Sequence, residues 1–276
     1  MFTIENIKKR RSWRTFIDKP VDAEKRSTIE TFMKTNTKGI FGAELRFALI
    51  DIDAAQAEEV KHLGTYGVID GAKLFMAGAV KKTEYYLEDF GYAFEKLILL
   101  ADSLGLGTCW MGVTFDRAGF GAKLDLKDDE DLTAASPVGY AKEKRRLKDL
   151  AMRKMVGSDK RKDFSKLFFD GSFEKPFETK GSEPFFEALE CVRLAPSASN
   201  QQPWRIVKDG ENFHLYLEHT KGYQYQKGQR IDMGIAMLHF EIACAELGIK
   251  GAWVKGEKPA IEAGERVFVS TFKVEN

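Results

Sequence analysis

The sequence lacks the features that would place it at a membrane or on nucleic acid. No run of about 18 apolar residues occurs, and the N-terminus, MFTIENIKKRRSW, has no apolar signal-peptide core, so we expect neither a membrane span nor export. The net charge is only +1, from 43 basic and 42 acidic residues, which gives no overall field that attracts nucleic acid. These absences favour a cytoplasmic protein that binds neither a membrane nor nucleic acid.

Motifs for metals and dinucleotides are also missing. Cys109, Cys191 and Cys244 form no C-x-x-C pair and have no histidine at ligand spacing, which argues against a disulfide framework and a metal site. His239 falls on a core helix face and is interpreted as a buried, hydrogen-bonded histidine rather than a base. No G-x-G-x-x-G fingerprint occurs, so a dedicated dinucleotide-binding domain is not expected.

Hydrophobic periodicity in the first half predicts mixed α and β structure. A helix is expected over residues 23–34, with Asp22 as its N-cap, and a buried strand over 45–51. The apolar run at 72–80 fits either a strand or a short buried helix. Apolar residues at three- and four-residue spacing predict a helix over 89–104, ended by Gly105 as a C′ glycine.

The second half begins with a helix near residue 183, which is followed by two strand-like runs and an amphipathic helix over 232–247. Residues 148–182 lose strong periodicity, but their phenylalanines indicate a connector that packs as it crosses. We therefore expect a first half over 1–147, a packed crossover connector over 148–182 and a second half over 183–276.

An internal repeat relates the two halves. Residues 89–110 align with 232–253 without a gap, at a constant offset of 143. Both copies share the leading aspartate, a glycine two residues on, the next alanine, the Leu-Gly that closes the helix and the final tryptophan. Such a pattern indicates a tandem duplication, in which a symmetric dimer with two sites became one chain with a single composite site.

Polar motifs are divided between the halves. The first half carries RRSWR, with Arg10, Ser12 and Arg14, which is either a solvated basic face or an anion site with forked guanidinium donors. It also carries KEKRRL, with Lys144 and Arg146, which taken alone indicates a solvated charge run.

The second half carries the loop LAPSASNQQPWR over residues 194–205. Its proline, small and amide side chains predict a sharp turn that presents polar atoms beside an aromatic ring, as suits a flat polar ligand. The first half has TNTKGIFGAE at the corresponding place. Each half thus holds polar residues that the other lacks.

Together these motifs resemble the nitroreductase family of FMN-dependent oxidoreductases, in particular its single-chain, tandem-duplicated branch, the TM-type nitroreductases. The family's R-x-S-x-[KR] segment, K-x-R turn and P-S-x-x-N loop match the basic segment, the later basic turn and the loop of this chain. The resemblance assigns cofactor binding to Arg10, Arg11, Ser12, Arg14, Gly112, Val113, Lys144, Arg146, Pro196, Ser197, Ala198, Ser199 and Asn200.

The resemblance implies an α+β, nitroreductase-like three-layer α/β/α fold whose two tandem halves form a pseudo-dimer within a monomer. It implies one FMN per chain, with the basic residues on its phosphate, Arg14 near N1 and the C2 carbonyl, and Gly112 and Val113 near N5. NAD(P)H would reduce the flavin, and a small flat acceptor such as a nitroaromatic or quinone would then take the hydride in ping-pong fashion. No protein side chain is expected to be catalytic, because the flavin carries the chemistry.

Other functions fit the same scaffold. One is a different flavin reaction, such as reductive dehalogenation or dehydrogenation. Another is a non-catalytic flavin carrier or redox sensor, in which packing over the ring blocks substrate. A duplicated α/β domain without a cofactor would be colourless, so the visible spectrum separates that case from the others.

Overall fold

The computed structural model describes residues 2–52, 69–112, 115–143, 147–155, 157–158, 160–180, 184–256 and 258–275. The chain divides into two compact units. We call Lys9–Ser158 the central unit, and Met1–Lys8 together with Asp159–Asn276 the terminal unit. The residues expected to form a connector are therefore shared between the two, and the first eight residues group with the C-terminal part of the chain. The sequence also shows a short polar helix pattern over residues 54–63, which lies outside the described residues.

The central unit contains a four-stranded antiparallel sheet in the order β1-β2-β4-β3. Its strands are β1 (Leu45–Asp51), β2 (Leu74–Lys81), β3 (Gly107–Thr108) and β4 (Glu130–Gly139). The ambiguous run at 72–80 is thus a strand. It pairs with β1 and β4 at its two edges, and helical residues cover its two faces, Phe90 beside Gly78 and Phe120 beside Phe75. Burial of both faces explains why the run shows no alternation of apolar and polar residues.

Among the described residues, four helices accompany this sheet: α2 (Ala23–Thr35), α3 (Tyr86–Ser103), α4 (Arg117–Leu124) and α5 (Leu147–Met155). Helix α2 begins where predicted, but the Asp22 carboxylate makes no capping bond and instead accepts the Tyr140 hydroxyl. Helix α3 begins three residues before the predicted start and ends as expected, with Gly105 at φ +75°.

The terminal unit contains a six-stranded sheet in the order β6-β5-β7-β8-β10-β9, antiparallel except for the β5–β7 pair. Its strands are β5 (Phe168–Asp170), β6 (Ser172–Pro176), β7 (Trp204–Asp209), β8 (Asn212–Leu217), β9 (Gly251–Val254) and β10 (Val267–Val274). Its long helices are α6 (Phe185–Leu194) and α7 (Gln226–Glu246), the latter beginning six residues before the predicted start.

The N-terminal helix α1 (Ile4–Lys9) is tied to the terminal unit by two contacts with distant parts of the chain. The backbone N–H of Ile4 donates to Glu246 at 2.6 Å, at the end of α7, and Lys8 pairs with Glu187 of α6 at 2.6 Å. The sequence assigned these residues to the first half because it shows only their neighbours along the chain.

The repeated segments adopt the same local structure in their own units. Each long helix ends at a glycine with φ +75°, Gly105 or Gly248, and leads into an edge strand. The leading aspartate of each copy accepts backbone N–H groups from the segment before the first sheet strand of its half. Asp89 accepts from Phe41 and Ala43 at 2.6 and 2.8 Å, and Asp232 accepts from Ala198 at 3.0 and 3.1 Å. The duplication therefore preserves a structural contact as well as a sequence pattern.

The structure agrees with the interpretation of His239 as a buried, hydrogen-bonded histidine. Its side chain is fully buried in α7 and its Nδ1 lies 3.1 Å from the Cys191 carbonyl. All three cysteines are buried and free. Among the described residues, no helix is both long and apolar enough to cross a membrane, and no cluster of three or more metal-ligating side chains occurs.

Candidate functional site

In the central unit, the backbone of the basic segment extends the end of the sheet. Ser12 forms a bridge with Thr108, and the N–H of Trp13 donates to the Thr108 carbonyl at 2.8 Å. Further along, the N–H of Lys142 donates to the Thr15 carbonyl at 2.9 Å. The fold therefore joins Thr15, directly after RRSWR, to Lys142, the first residue of KEKRRL. The basic segment and the start of KEKRRL are thus hydrogen-bonded neighbours, whereas Lys144 and Arg146 lie outside the described residues.

A buried carboxylate, that of Glu95, holds the Arg10 side chain in place. That side chain is only 7% exposed, and its Nε lies 3.7 Å from Oε1 of the fully buried Glu95. The other Glu95 oxygen accepts the Trp110 indole N–H at 2.7 Å. The Arg10 Nε finds no hydrogen-bond acceptor within the part of the chain that the structure describes. A buried donor of this kind can bind a further acceptor such as a phosphate or carbonyl oxygen.

Arg14 has a carboxylate partner that the sequence did not reveal. Its Nη1 donates to Oδ1 of Asp149 in α5 at 2.9 Å, and the two side chains are 12% and 3% exposed. The partners are 135 residues apart, so no local pattern could have identified the pair. The carboxylate fixes the guanidinium in place and offsets part of its charge.

The remaining predicted residues of the central unit differ in their exposure. Arg11 is exposed and its Nη1 donates to the Arg10 carbonyl at 2.9 Å. Its side chain is therefore less buried than that of Arg10. Gly112 follows Met111, whose backbone pairs with Ala135, and its carbonyl accepts from Arg117 Nη2 at 2.8 Å. Val113 lies outside the described residues.

Gly107→Ala is expected to disturb the basic segment. A Cβ at this position in β3 would lie 2.9 Å from the Ala141 Cβ and 3.0 Å from the Trp13 Cβ, closer than side-chain carbons normally approach. We expect a loss of about 1–3 kcal/mol in unfolding free energy, as for other overpacked sites. Hydrogen exchange at the Trp13 amide should also become faster.

The matched control is Gly121→Ala in α4, where a Cβ would make an ordinary 3.6 Å contact with Leu126. Because alanine favours a helix over glycine, this variant should be neutral or slightly stabilised. Equal behaviour of the two variants would contradict the close packing inferred around Gly107.

In the terminal unit, the P-S-x-x-N loop has an unusual backbone. Ser199, Asn200 and Gln202 have φ of 50°, 55° and 48°, in the left-handed region that residues other than glycine seldom occupy. Each such residue costs on the order of 1–3 kcal/mol and persists only where its surroundings hold it. Within the loop, the Ser197 hydroxyl oxygen accepts the Gln202 N–H at 2.9 Å. Asp232 accepts the Ala198 N–H, as described above.

Residues 160–162, which we call the tether segment, also hold this loop. The Asn200 amide donates to the Lys160 carbonyl at 2.9 Å, and its Oδ1 accepts from Arg161 Nη1 at 3.3 Å. The N–H of Lys162 donates to the Gln202 Oε1 at 2.8 Å. The sequence missed the tether because 40 residues separate Lys162 from Gln202.

Two cations converge on the Gln202 carbonyl. Lys162 Nζ lies 3.3 Å and Arg205 Nη1 3.0 Å from this oxygen. Burial, reinforced by the nearby Arg205, lowers the pKa of Lys162 to about 8, although Glu218 opposes the shift. Arg205 is itself 6% exposed and pairs with Glu218. The loop is therefore positioned by charges on the following strand as well as by the tether segment.

Lys162→Met is expected to raise stability at neutral pH and to flatten its pH dependence. The pKa of Lys162 is about 8 in the folded protein, against an ordinary value of 10.5, so between these values the unfolded chain binds more protons. The stability contributed by Lys162 therefore rises as pH increases from about 8 to 10.5, and the advantage of the methionine variant should shrink over that range.

Urea unfolding at several pH values between 7 and about 10.5 measures this difference. Lys166→Met is the control, because the Lys166 side chain is 70% exposed. A stability difference between wild type and Lys162→Met that stays constant across this range contradicts the prediction.

Trp204 does not serve as the aromatic ring beside the loop. It begins β7 and its side chain is fully buried in the terminal unit. The pattern suggested a ring offered to a ligand, but the first position of a central strand directs it into the core. The polar part of LAPSASNQQPWR that can face a ligand is therefore confined to the loop before β7.

These features define a nitroreductase-like α+β fold with two carboxylate-paired arginines in one unit and a strained Pro-Ser-Asn loop in the other. A family model described as "Putative TM nitroreductase" matches residues 3–244, and the chain belongs to this family. The resemblance noted in the sequence is thereby confirmed. Comparison with curated proteins finds no significant match.

One solved structure supports the fold over the whole chain, and two others match about half of it. A "putative nitroreductase" from Thermotoga maritima MSB8 superimposes with a TM-score of 0.62 at 18% identity, over 99% of this chain and 93% of the other. A nitroreductase family protein from Clostridium novyi NT (TM-score 0.43, 21% identity) covers 52% of this chain and 87% of its own. An FMN-dependent nitroreductase from Clostridium difficile R20291 (TM-score 0.41, 22% identity) covers 52% and 90%.

Proposed function

We propose that this chain binds one FMN and uses NAD(P)H to reduce a flat, electron-poor acceptor such as a nitroaromatic or a quinone. The observation that carries the proposal is that buried carboxylates hold the guanidinium groups of Arg10 and Arg14 in place. The segment that bears them is hydrogen-bonded to the residues before the Lys144–Arg146 turn. Membership of the nitroreductase family supports it.

The donor set of the central unit suits the phosphate of FMN. Arg10 has a buried Nε without an acceptor among the described residues, and Ser12 adds a hydroxyl nearby in the chain. We assign Lys144 and Arg146 to the same phosphate by their place in the K-x-R turn. Charge-assisted bonds from such groups are stronger than neutral ones, particularly where water is excluded.

Arg14 is assigned to the pyrimidine edge of the flavin, beside N1 and the C2 carbonyl. A cation there favours the negative charge that the reduced ring develops. The carboxylate of Asp149, 2.9 Å from Arg14, restrains the guanidinium and moderates this effect. Backbone N–H groups around Gly112 and Val113 are assigned to N5.

The terminal unit supplies the loop at residues 196–200, which we assign to the ring of the flavin. In the first half, Asp89 instead binds the backbone at Phe41 and Ala43, and the sequence there has no Pro-Ser-Asn motif. We therefore propose one flavin per chain, bound by a monomer whose two halves act as a pseudo-dimer.

Bound FMN would accept a hydride from NAD(P)H and later transfer it to the acceptor. The protein residues bind and orient the cofactor, and solvent supplies the proton that completes the product. The proposed order is ping-pong, in which NAD(P)H would leave before the acceptor enters.

Anaerobic titration of the FMN-loaded protein tests the proposal. NADH or NADPH should bleach the flavin absorbance, and subsequent addition of a quinone or nitroaromatic should restore it. A flavin that is bound but not reduced by either nicotinamide would instead support a carrier or sensor. Reduction without reoxidation by either acceptor class would contradict the proposed acceptors.

A further inference from the structure

The polar side chains of the Pro-Ser-Asn loop are occupied by contacts inside the terminal unit. An asparagine carboxamide offers two N–H donors and two acceptor lone pairs. Asn200 uses three of these positions, one N–H on the Lys160 carbonyl and both lone pairs on Arg161 Nη1 and Gln202 Nε2. Few of its polar positions are left for a ligand.

The same contacts hold the left-handed backbone at Ser199, Asn200 and Gln202. Arg161 also holds the start of the loop, because its Nη2 donates to the carbonyl of Leu194, the first loop residue, at 3.2 Å. Lys162 binds both the side chain and the carbonyl of Gln202. A tether that reaches both ends of a strained loop can set its shape.

We propose that Arg161 and Lys162 are positioning residues for the flavin, and that Asn200 acts by holding the loop against them rather than by contacting the ring. This inference rests on the proposed function, since it concerns the same loop. It differs from the assignment by resemblance, which makes Asn200 a direct cofactor contact. The surface offered to the flavin is then the loop backbone and its exposed residue, Ser199.

A double-mutant cycle on FMN binding tests this role. Arg161→Met and Asn200→Ala should each weaken FMN binding about tenfold, measured from flavin fluorescence during titration. If Arg161 and Asn200 act through one shared contact, the FMN affinity of the double variant should lie within about twofold of that of Asn200→Ala. Losses that multiply to about a hundredfold would show that Asn200 acts independently of Arg161 and would overturn the inference.

Hydrogen exchange in the FMN-free protein provides a second readout. The Gln202 amide should exchange faster in both single variants, and Arg161→Lys should restore part of its protection. Arg193→Met is the matched control, because Arg193 pairs with Glu190 on α6 and not with the loop. It should change neither exchange nor affinity.

The outcomes separate this inference from the proposed function. A wild-type protein that binds no FMN overturns both. FMN binding that is unaffected by either substitution, or unchanged exchange at Gln202, overturns the positioning role alone. Coupled losses of affinity together with faster exchange support it.

Discussion

Asp89→Asn is expected to lower the free energy of unfolding by about 2–4 kcal/mol, whereas Asp232→Asn should change it by less than about 1 kcal/mol. The two aspartates occupy the same position of the repeat and both are buried. Their different hydrogen-bond partners cause the expected difference.

Asp89 binds two separate backbone N–H groups, with Oδ1 on Phe41 and Oδ2 on Ala43. An asparagine has one oxygen, so its amide nitrogen would face one of these donors and leave it without an acceptor. An unsatisfied buried donor costs about 1–3 kcal/mol, and the lost bond to a charged acceptor adds to this cost.

Both oxygens of Asp232 instead bind the single N–H of Ala198. One asparagine oxygen can replace them. Burial also raises the pKa of Asp232 well above its ordinary value, so the charged form is disfavoured in the fold and the neutral amide resembles the protonated acid.

Urea unfolding of both variants at neutral pH measures the contrast. Asp232→Ala is the informative comparison, because it removes the acceptor altogether and should be less stable than Asp232→Asn by about 1–3 kcal/mol. Equal losses for Asp89→Asn and Asp232→Asn would show that the repeat aspartates do not differ in the way their contacts indicate.

Arg10→Ala combined with Arg146→Ala is expected to weaken FMN binding about 100-fold or more. Two charge-assisted contacts to the phosphate would be lost, and each contributes about 1.5–3 kcal/mol. Equilibrium dialysis of FMN against each variant measures the change. Unchanged FMN retention would show that the phosphate is bound elsewhere.

The substitution at Arg10 needs a stability control. It leaves the buried Glu95 without its cation, and breaking a buried ion pair by removing one partner costs about 3–5 kcal/mol. Adding Glu95→Gln removes the carboxylate charge and keeps an oxygen for the Trp110 indole N–H. Arg10→Ala with Glu95→Gln should therefore fold well but still bind FMN weakly.

Arg11→Ala provides the neighbouring comparison. Arg11 is exposed, so its removal should affect FMN binding much less than removal of Arg10. A larger effect at Arg11 would reverse the assignment of the phosphate contact between these adjacent arginines.

Local sequence pattern predicted much of the fold. The offset of 143 between the repeats identified two long helices that end in equivalent glycines, and the structure places Gly105 and Gly248 at the same φ of +75°. These predictions succeeded because helix periodicity and glycine termination are properties of contiguous residues. The early start of α7 was missed because its polar first turn, residues 226–229, weakens the apolar pattern.

Contacts between residues far apart in the chain could not be predicted from the sequence. The run at 72–80 became a strand because β1 and β4 pair on either side of it. Asp149 and the tether segment reach their partners across 135 and 40 residues, and neither belongs to a recognisable motif. The assignment of site residues from the motifs stays a prediction, and the charges and hydrogen bonds around these residues could be found only in the structure.

The most direct test of the central claim is the flavin content of the purified protein after loading with excess FMN and gel filtration. The visible spectrum, combined with the protein concentration, should give one FMN per chain, as expected for a duplicated chain that keeps one set of site residues. A colourless protein, or two FMN molecules per chain, would contradict the account.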